Sequence, residues 1–83
     1  MYYVYIVKCA DATLYTGIAT QLDRRIEEHN SSPKGAKYTR IRRPVKLVYS
    51  EEYADRSTAS KREYEIKKKM TRKEKLTLIE SLG

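Results

Sequence analysis

The chain has 83 residues, with 18 Lys plus Arg against 11 Asp plus Glu, a formal net charge of +7. A chain this short buries only roughly 60–65% of its unfolded surface, so it supports one small core, and a single domain over residues 1–83 is expected. Its lone cysteine, Cys9, excludes an internal disulfide or a cysteine zinc site and is expected to be a small apolar filler. The longest apolar run, Tyr2 to Val7, is too short to span a bilayer and follows no charged leader, so the expected location is cytoplasmic.

Tyr2-Tyr3-Val4-Tyr5-Ile6-Val7 is aromatic or β-branched throughout and apolar on both alternating faces, which predicts a central strand covered on both sides. After the polar turn Ala10 to Thr13, Leu14 to Ile18 resumes strand-like residues, predicting a hairpin, with Gly17 marking a close backbone approach or a bulge. Thr20 is the expected N-cap of a helix whose buried stripe contains Leu22 and Ile26, with Asp23 near its positive end. Asn30-Ser31-Ser32-Pro33 ends that helix. Gly35 to Arg43 reads as irregular or briefly helical, and Val45 to Tyr49 as a third strand. Asp55 or Ser57 can cap a helix running to about Met70, and Thr71 with Glu74 forms a capping box that opens a last helix ending near Gly83, with Leu76, Ile79 and Leu82 on its inner face. The expected fold class is α+β, a small three-stranded, mostly antiparallel sheet flanked by helices in the order ββαβαα.

Four groups of residues suggest chemistry. A hairpin turning near Asp11 puts Tyr5 and Tyr15 on one sheet face as diagonal neighbours, between two helices, whereas Tyr2 and Tyr3 suit the core. Arg25 and His29, four apart on the first helix, project together beside its apolar stripe; alone, such a pair is more often a solvated edge. Glu63 lies within the apolar stripe Ala59, Ile66 and Met70, where a carboxylate needs a cation, a metal ion or a wet cleft; a salt bridge to Arg25 or Lys61 is the plain alternative. Finally, Ser31 to Ser50 carries no acidic residue while Lys34, Lys37, Arg40, Arg42, Arg43 and Lys46 recur, and Lys67-Lys68-Lys69 begins a second basic run. Two such runs attract polyanions, and Lys34, Lys37, Arg40, Arg42, Arg43, Lys67 and Lys68 are the expected nucleic-acid contacts.

These residues resemble the GIY-YIG nuclease superfamily, specifically its small stand-alone bacterial members. Tyr3-Val4-Tyr5 matches the first half of the signature and Tyr15-Thr16-Gly17 the second, followed by Arg25, His29 and Glu63. The resemblance implies a metal-dependent endonuclease acting on DNA or RNA in repair or nucleic-acid processing, with one weakly held Mg²⁺ or Mn²⁺. It implies that Glu63 holds the metal, Arg25 steadies the phosphate and Tyr5 helps activate water, with Tyr15 and His29 assisting. Two departures stand out: Tyr3 replaces the first glycine, and no asparagine follows Glu63. They keep open a binding module of the same fold without the chemistry, and less readily a protein-interaction adaptor. With no separate DNA-binding domain in view, targeting is expected from substrate shape or a protein partner.

Overall fold

The computed structural model describes residues 1–31 and 36–81; the expectations on Lys34, Gly35, Leu82 and Gly83 lie outside them. Strand β1 (Tyr2–Lys8) is central in a sheet of order β2-β1-β3. Strands β2 (Leu14–Ala19) and β3 (Lys46–Tyr53) flank it, both antiparallel. The third strand is thus longer than Val45 to Tyr49, because Ser50 to Tyr53 pairs with the start of β1. Gly17 is regularly paired, opposite Tyr5; the register shifts instead between β1 and β3, at Ile6 and Val7.

The central strand has a core on each face, as its doubly apolar pattern requires. Val4 and Ile6 pack with Tyr49, Ala59 and Ile66, with Leu78 and Ile79 beside them. Tyr5 and Val7 pack on the other side with Cys9 and Val45, closed by Leu22 and Ile26. Helix α1 (Leu22–Ser31) therefore covers the tyrosine face, and helices α3 (Arg56–Tyr64) and α4 (Arg72–Glu80) cover the opposite one. Helix α3 does not cover the tyrosine face, because Ala59 and Ile66 pack on the side of Val4 and Ile6.

Helix ends follow local chemistry closely. The Gln21 carbonyl accepts from Arg25 N–H, so α1 starts at Leu22 and Gln21, not Thr20, takes the cap position. A one-turn helix α2 (Lys37–Arg40) occupies the segment expected to be briefly helical. Asp55 caps α3 by accepting from Thr58 N–H, and the Thr71–Glu74 box is complete at α4. Between α3 and α4, Glu65–Lys69 forms a π-helical turn, closed by Met70 N–H donating to the Glu65 carbonyl. In α4 the inner positions are Leu78 and Ile79, while Leu76 is 39% exposed, so the buried stripe is shifted from the one the spacing predicts.

Helix α3 is tied to β3 by a polar cluster. Both Glu51 oxygens accept from Arg62, each at 2.9 Å, and also accept from the Tyr49 and Tyr53 hydroxyls. Burial pushes the Glu51 carboxyl upward, but these donors outweigh it and hold it below the usual range. Arg62 is thereby committed to Glu51 on β3, with Glu65 one turn along the chain as a further partner.

Candidate active site

The β1–β2 register places Tyr5 opposite Gly17 and Val7 opposite Tyr15, so Tyr5 and Tyr15 are diagonal neighbours on one face. The phenol of Tyr5 lies across Gly17. A methyl group added there would sit on the phenolic oxygen and 2.6 Å from Cζ, a separation that real side chains do not tolerate. The glycine is thus required by steric approach, since its backbone conformation needs no positive φ.

Helix α1 drops His29 into this face. Its ring is fully buried, with Nε2 2.7 Å from the Tyr5 hydroxyl and Nδ1 2.8 Å from Thr39 Oγ1. The rings of Tyr5 and Tyr15 both meet it edge-on, at centroid distances of 5.7 and 5.4 Å. Burial, followed by the charge of Arg25, pushes the imidazole down to about 4, so the ring is neutral at pH 7. Arg25, one turn earlier, pairs with Glu28 at 3.1 Å and is close enough to the Tyr5 hydroxyl to oppose the rise in its pKa. Burial works against the Arg25 charge, but the hydrogen bonds to Tyr5 and Glu28 prevail and raise its pKa.

Tyr5 is pushed up to about 12, chiefly by burial, with Arg25 opposing and Tyr15 and Glu63 adding. Tyr15 is raised by burial too, with Arg25 opposing and Glu63 adding. The Glu63 carboxylate therefore acts electrostatically on both phenols, although α3 packs on the other sheet face. It is half-buried, and among the described residues neither Arg25 nor Lys61 pairs with it. The five residues Tyr5, Tyr15, Arg25, His29 and Glu63 thus form one electrostatic neighbourhood.

Among the described residues no group of three or more His, Cys, Asp or Glu side chains could hold a metal. A half-buried carboxylate without an ion-pair partner suits a hard, mostly hydrated ion such as Mg²⁺, which takes one or two carboxylates and keeps several waters. It does not suit a metal that requires several nitrogen or sulfur ligands.

The basic residues are not equivalent. Arg43 is directed inward, donating to the His29 and Glu28 carbonyls at the end of α1. Arg42 pairs with Asp11 at 3.0 Å and lies 4.0 Å over the Tyr38 ring, which stacks on Tyr15. Lys67 approaches the Tyr15 ring at 5.3 Å, while Lys37, Arg40 and Lys68 are exposed. Tyr38 and Thr39 were not visible as site residues in the sequence. An aromatic side chain inside an acid-free basic run was a signal for Tyr38; Thr39 carried none.

This fold with this constellation defines a class. Residues 1–76 match the family described as the GIY-YIG catalytic domain, and the chain belongs to the GIY-YIG family. It is similar to small bacterial proteins designated UPF0213. One from Desulfotalea psychrophila is 62% identical over 96% of this chain and 72% of the relative. One from Staphylococcus aureus is 58% identical over 94% of this chain and 93% of the relative. The solution structure of a UPF0213 protein from Bacillus halodurans superimposes with a TM-score of 0.63, at 44% identity, over 100% of this chain and 87% of that one. A second solution structure, of a protein from E. faecalis, gives 0.65 at 42% identity, over 98% of this chain and 84% of that one.

Proposed function

We propose that the protein is a metal-dependent endonuclease that hydrolyses phosphodiester bonds in DNA or RNA. The observation that carries this reading is the hydrogen bond from the Tyr5 hydroxyl to Nε2 of a neutral His29, with the Arg25 guanidinium and the Glu63 carboxylate both acting electrostatically on that phenol. A divalent ion, Mg²⁺ or Mn²⁺, bound at Glu63 would polarise the phosphate and make a bound water more acidic. Arg25, beside Tyr5, holds a phosphate oxygen as negative charge develops. Tyr5 takes a proton from the attacking water as it passes its own to His29 Nε2, so that a water O–H bond breaks, a new phenol O–H forms and the imidazole becomes an imidazolium; the water oxygen bonds to phosphorus, the ester P–O bond opposite it breaks, and the leaving alkoxide takes a proton from solvent water. Because Tyr5 titrates near 12 and His29 near 4, the neutral pair is the resting state and the transfer accompanies attack on phosphorus. Tyr15 walls the imidazole and shields it from water.

The test is cleavage of structured and single-stranded DNA and RNA in Mg²⁺ or Mn²⁺. The wild type should cut at least one substrate, and Glu63→Ala and Tyr5→Phe should each lower kcat by roughly 10²-fold or more. Equal cutting by Glu63→Ala would retire the reading. A binding module of the same fold is the second reading, favoured by the missing asparagine after Glu63. It predicts salt-sensitive binding with no cleavage by any form.

A further inference from the structure

We propose that Thr39 is a positioning residue that locks the single histidine, His29, in the tautomer with its proton on Nδ1, leaving Nε2 to face Tyr5 as an acceptor. The assignment follows from accounting for every donor in a buried line. Tyr5, His29 and Thr39 are 1%, 0% and 0% exposed, so each polar hydrogen there needs a partner inside the protein.

With the proton on Nδ1 all needs are met. The Tyr5 O–H donates to Nε2, Nδ1–H donates to Thr39 Oγ1, and the Thr39 hydroxyl donates to the Ala36 carbonyl at 3.0 Å. With the proton on Nε2, the Tyr5 oxygen receives a hydrogen from His29, and the Arg25 guanidinium beside it is a donor only and cannot accept one. The Tyr5 O–H then has no acceptor among the described residues. An orphaned buried hydroxyl is disfavoured strongly enough to settle a choice between two tautomers of nearly equal intrinsic energy. Thr39 can play this part because its hydroxyl both accepts from the ring and discharges its own hydrogen onto the turn that opens α2, where Ala36 is the N-cap.

The tautomer stands on the hydrogen bonds alone; its consequence for turnover rests on the nuclease reading, since only an unprotonated Nε2 can take the Tyr5 proton. The experiment is a two-bond proton–nitrogen correlation spectrum of the full ¹⁵N-labelled chain near pH 7.5, where one histidine gives one unambiguous ring pattern. The wild type should show a protonated Nδ1 and an unprotonated Nε2, and Thr39→Ser should keep that pattern. In Thr39→Val the tautomer ratio should move toward Nε2–H by roughly tenfold or more, as a buried N–H loses its acceptor. Thr39→Ala replaces it if the valine variant does not fold. On a substrate the wild type cuts, kcat should fall roughly tenfold or more in Thr39→Val with KM nearly unchanged, and recover in Thr39→Ser. A wild-type ring protonated at Nε2, or a ratio unmoved in Thr39→Val and Thr39→Ala, overturns the lock. A wild type that cuts nothing overturns the nuclease reading and leaves the tautomer result standing.

Discussion

At the residue scale, the site depends on what one small side chain permits. The Tyr5 ring occupies the space a Cβ at Gly17 would need, so Gly17→Ala must displace the phenol or the strand. Overpacking of this kind costs about 1–3 kcal/mol, and the displaced hydroxyl would lose His29 Nε2. Chemical denaturation should show the loss, and the His29 ring resonances should shift; an unchanged ring with full stability would contradict the packing. His29 makes a separate prediction. Its pKa is pushed down to about 4 by burial and then by Arg25, against 6.5 for an ordinary histidine. Between these values the unfolded chain binds a proton that the folded chain refuses. Its contribution is therefore complete above about pH 6.5 and is lost as pH falls toward 4, about 3 kcal/mol over the whole window. Urea midpoints should fall between pH 7 and pH 5, and His29→Gln should flatten that slope. The pKa-lowered carboxylates Asp11, Glu51, Asp55 and Glu74 act in the lower part of this window and below it, so its upper half isolates the histidine. The diagonal pairing of Tyr5 and Tyr15 was legible in the sequence because a hairpin register follows from its turn. The Thr39 contact was not, because it depends on how α2 docks against α1.

Among the elements, the placement of Glu63 depends on a neighbour that does no chemistry. Arg62 clamps both oxygens of Glu51 and so fixes the rotation of α3 against β3. Arg62→Met removes the cation and leaves Glu51 with its two tyrosine donors. Since the pair is partly solvated, with side chains 26% and 17% exposed, the expected loss is about 1–2 kcal/mol rather than that of a fully buried pair. Any nuclease activity should fall with it, as Glu63 loses its register; thermal unfolding together with cleavage checks both. A stable, fully active variant would show that α3 is held by its apolar face alone. The strands and the Asp55 and Thr71 caps were legible because they follow from local chemistry. The packing of α3 opposite α1 was not: apolar spacing says which stripe of a helix is buried, not against which face of the sheet. The same limit explains Leu76, whose spacing suits the core and whose position is exposed.

Over the whole molecule, the +7 charge is divided between structural and exposed cations. Arg43 holds the end of α1 and Arg62 holds α3, whereas Lys37, Lys67 and Lys68 are exposed. Substituting Lys67 and Lys68 by Ala should weaken nucleic-acid binding and reduce its salt dependence, by up to about 0.9 in log–log slope per lost contact on duplex DNA. Titrations at several salt concentrations would show this, and an unchanged slope would place the polyanion elsewhere. Arg43→Ala should instead lower stability. No described helix is long and apolar enough to cross a membrane. One carboxylate, Glu63, should separate cutting from binding. The most direct test measures both on the same nucleic acid, with wild type and Glu63→Gln side by side in Mg²⁺. Both proteins should bind comparably, and the wild type alone should cleave. Cleavage by both, or by neither despite tight binding, would contradict it.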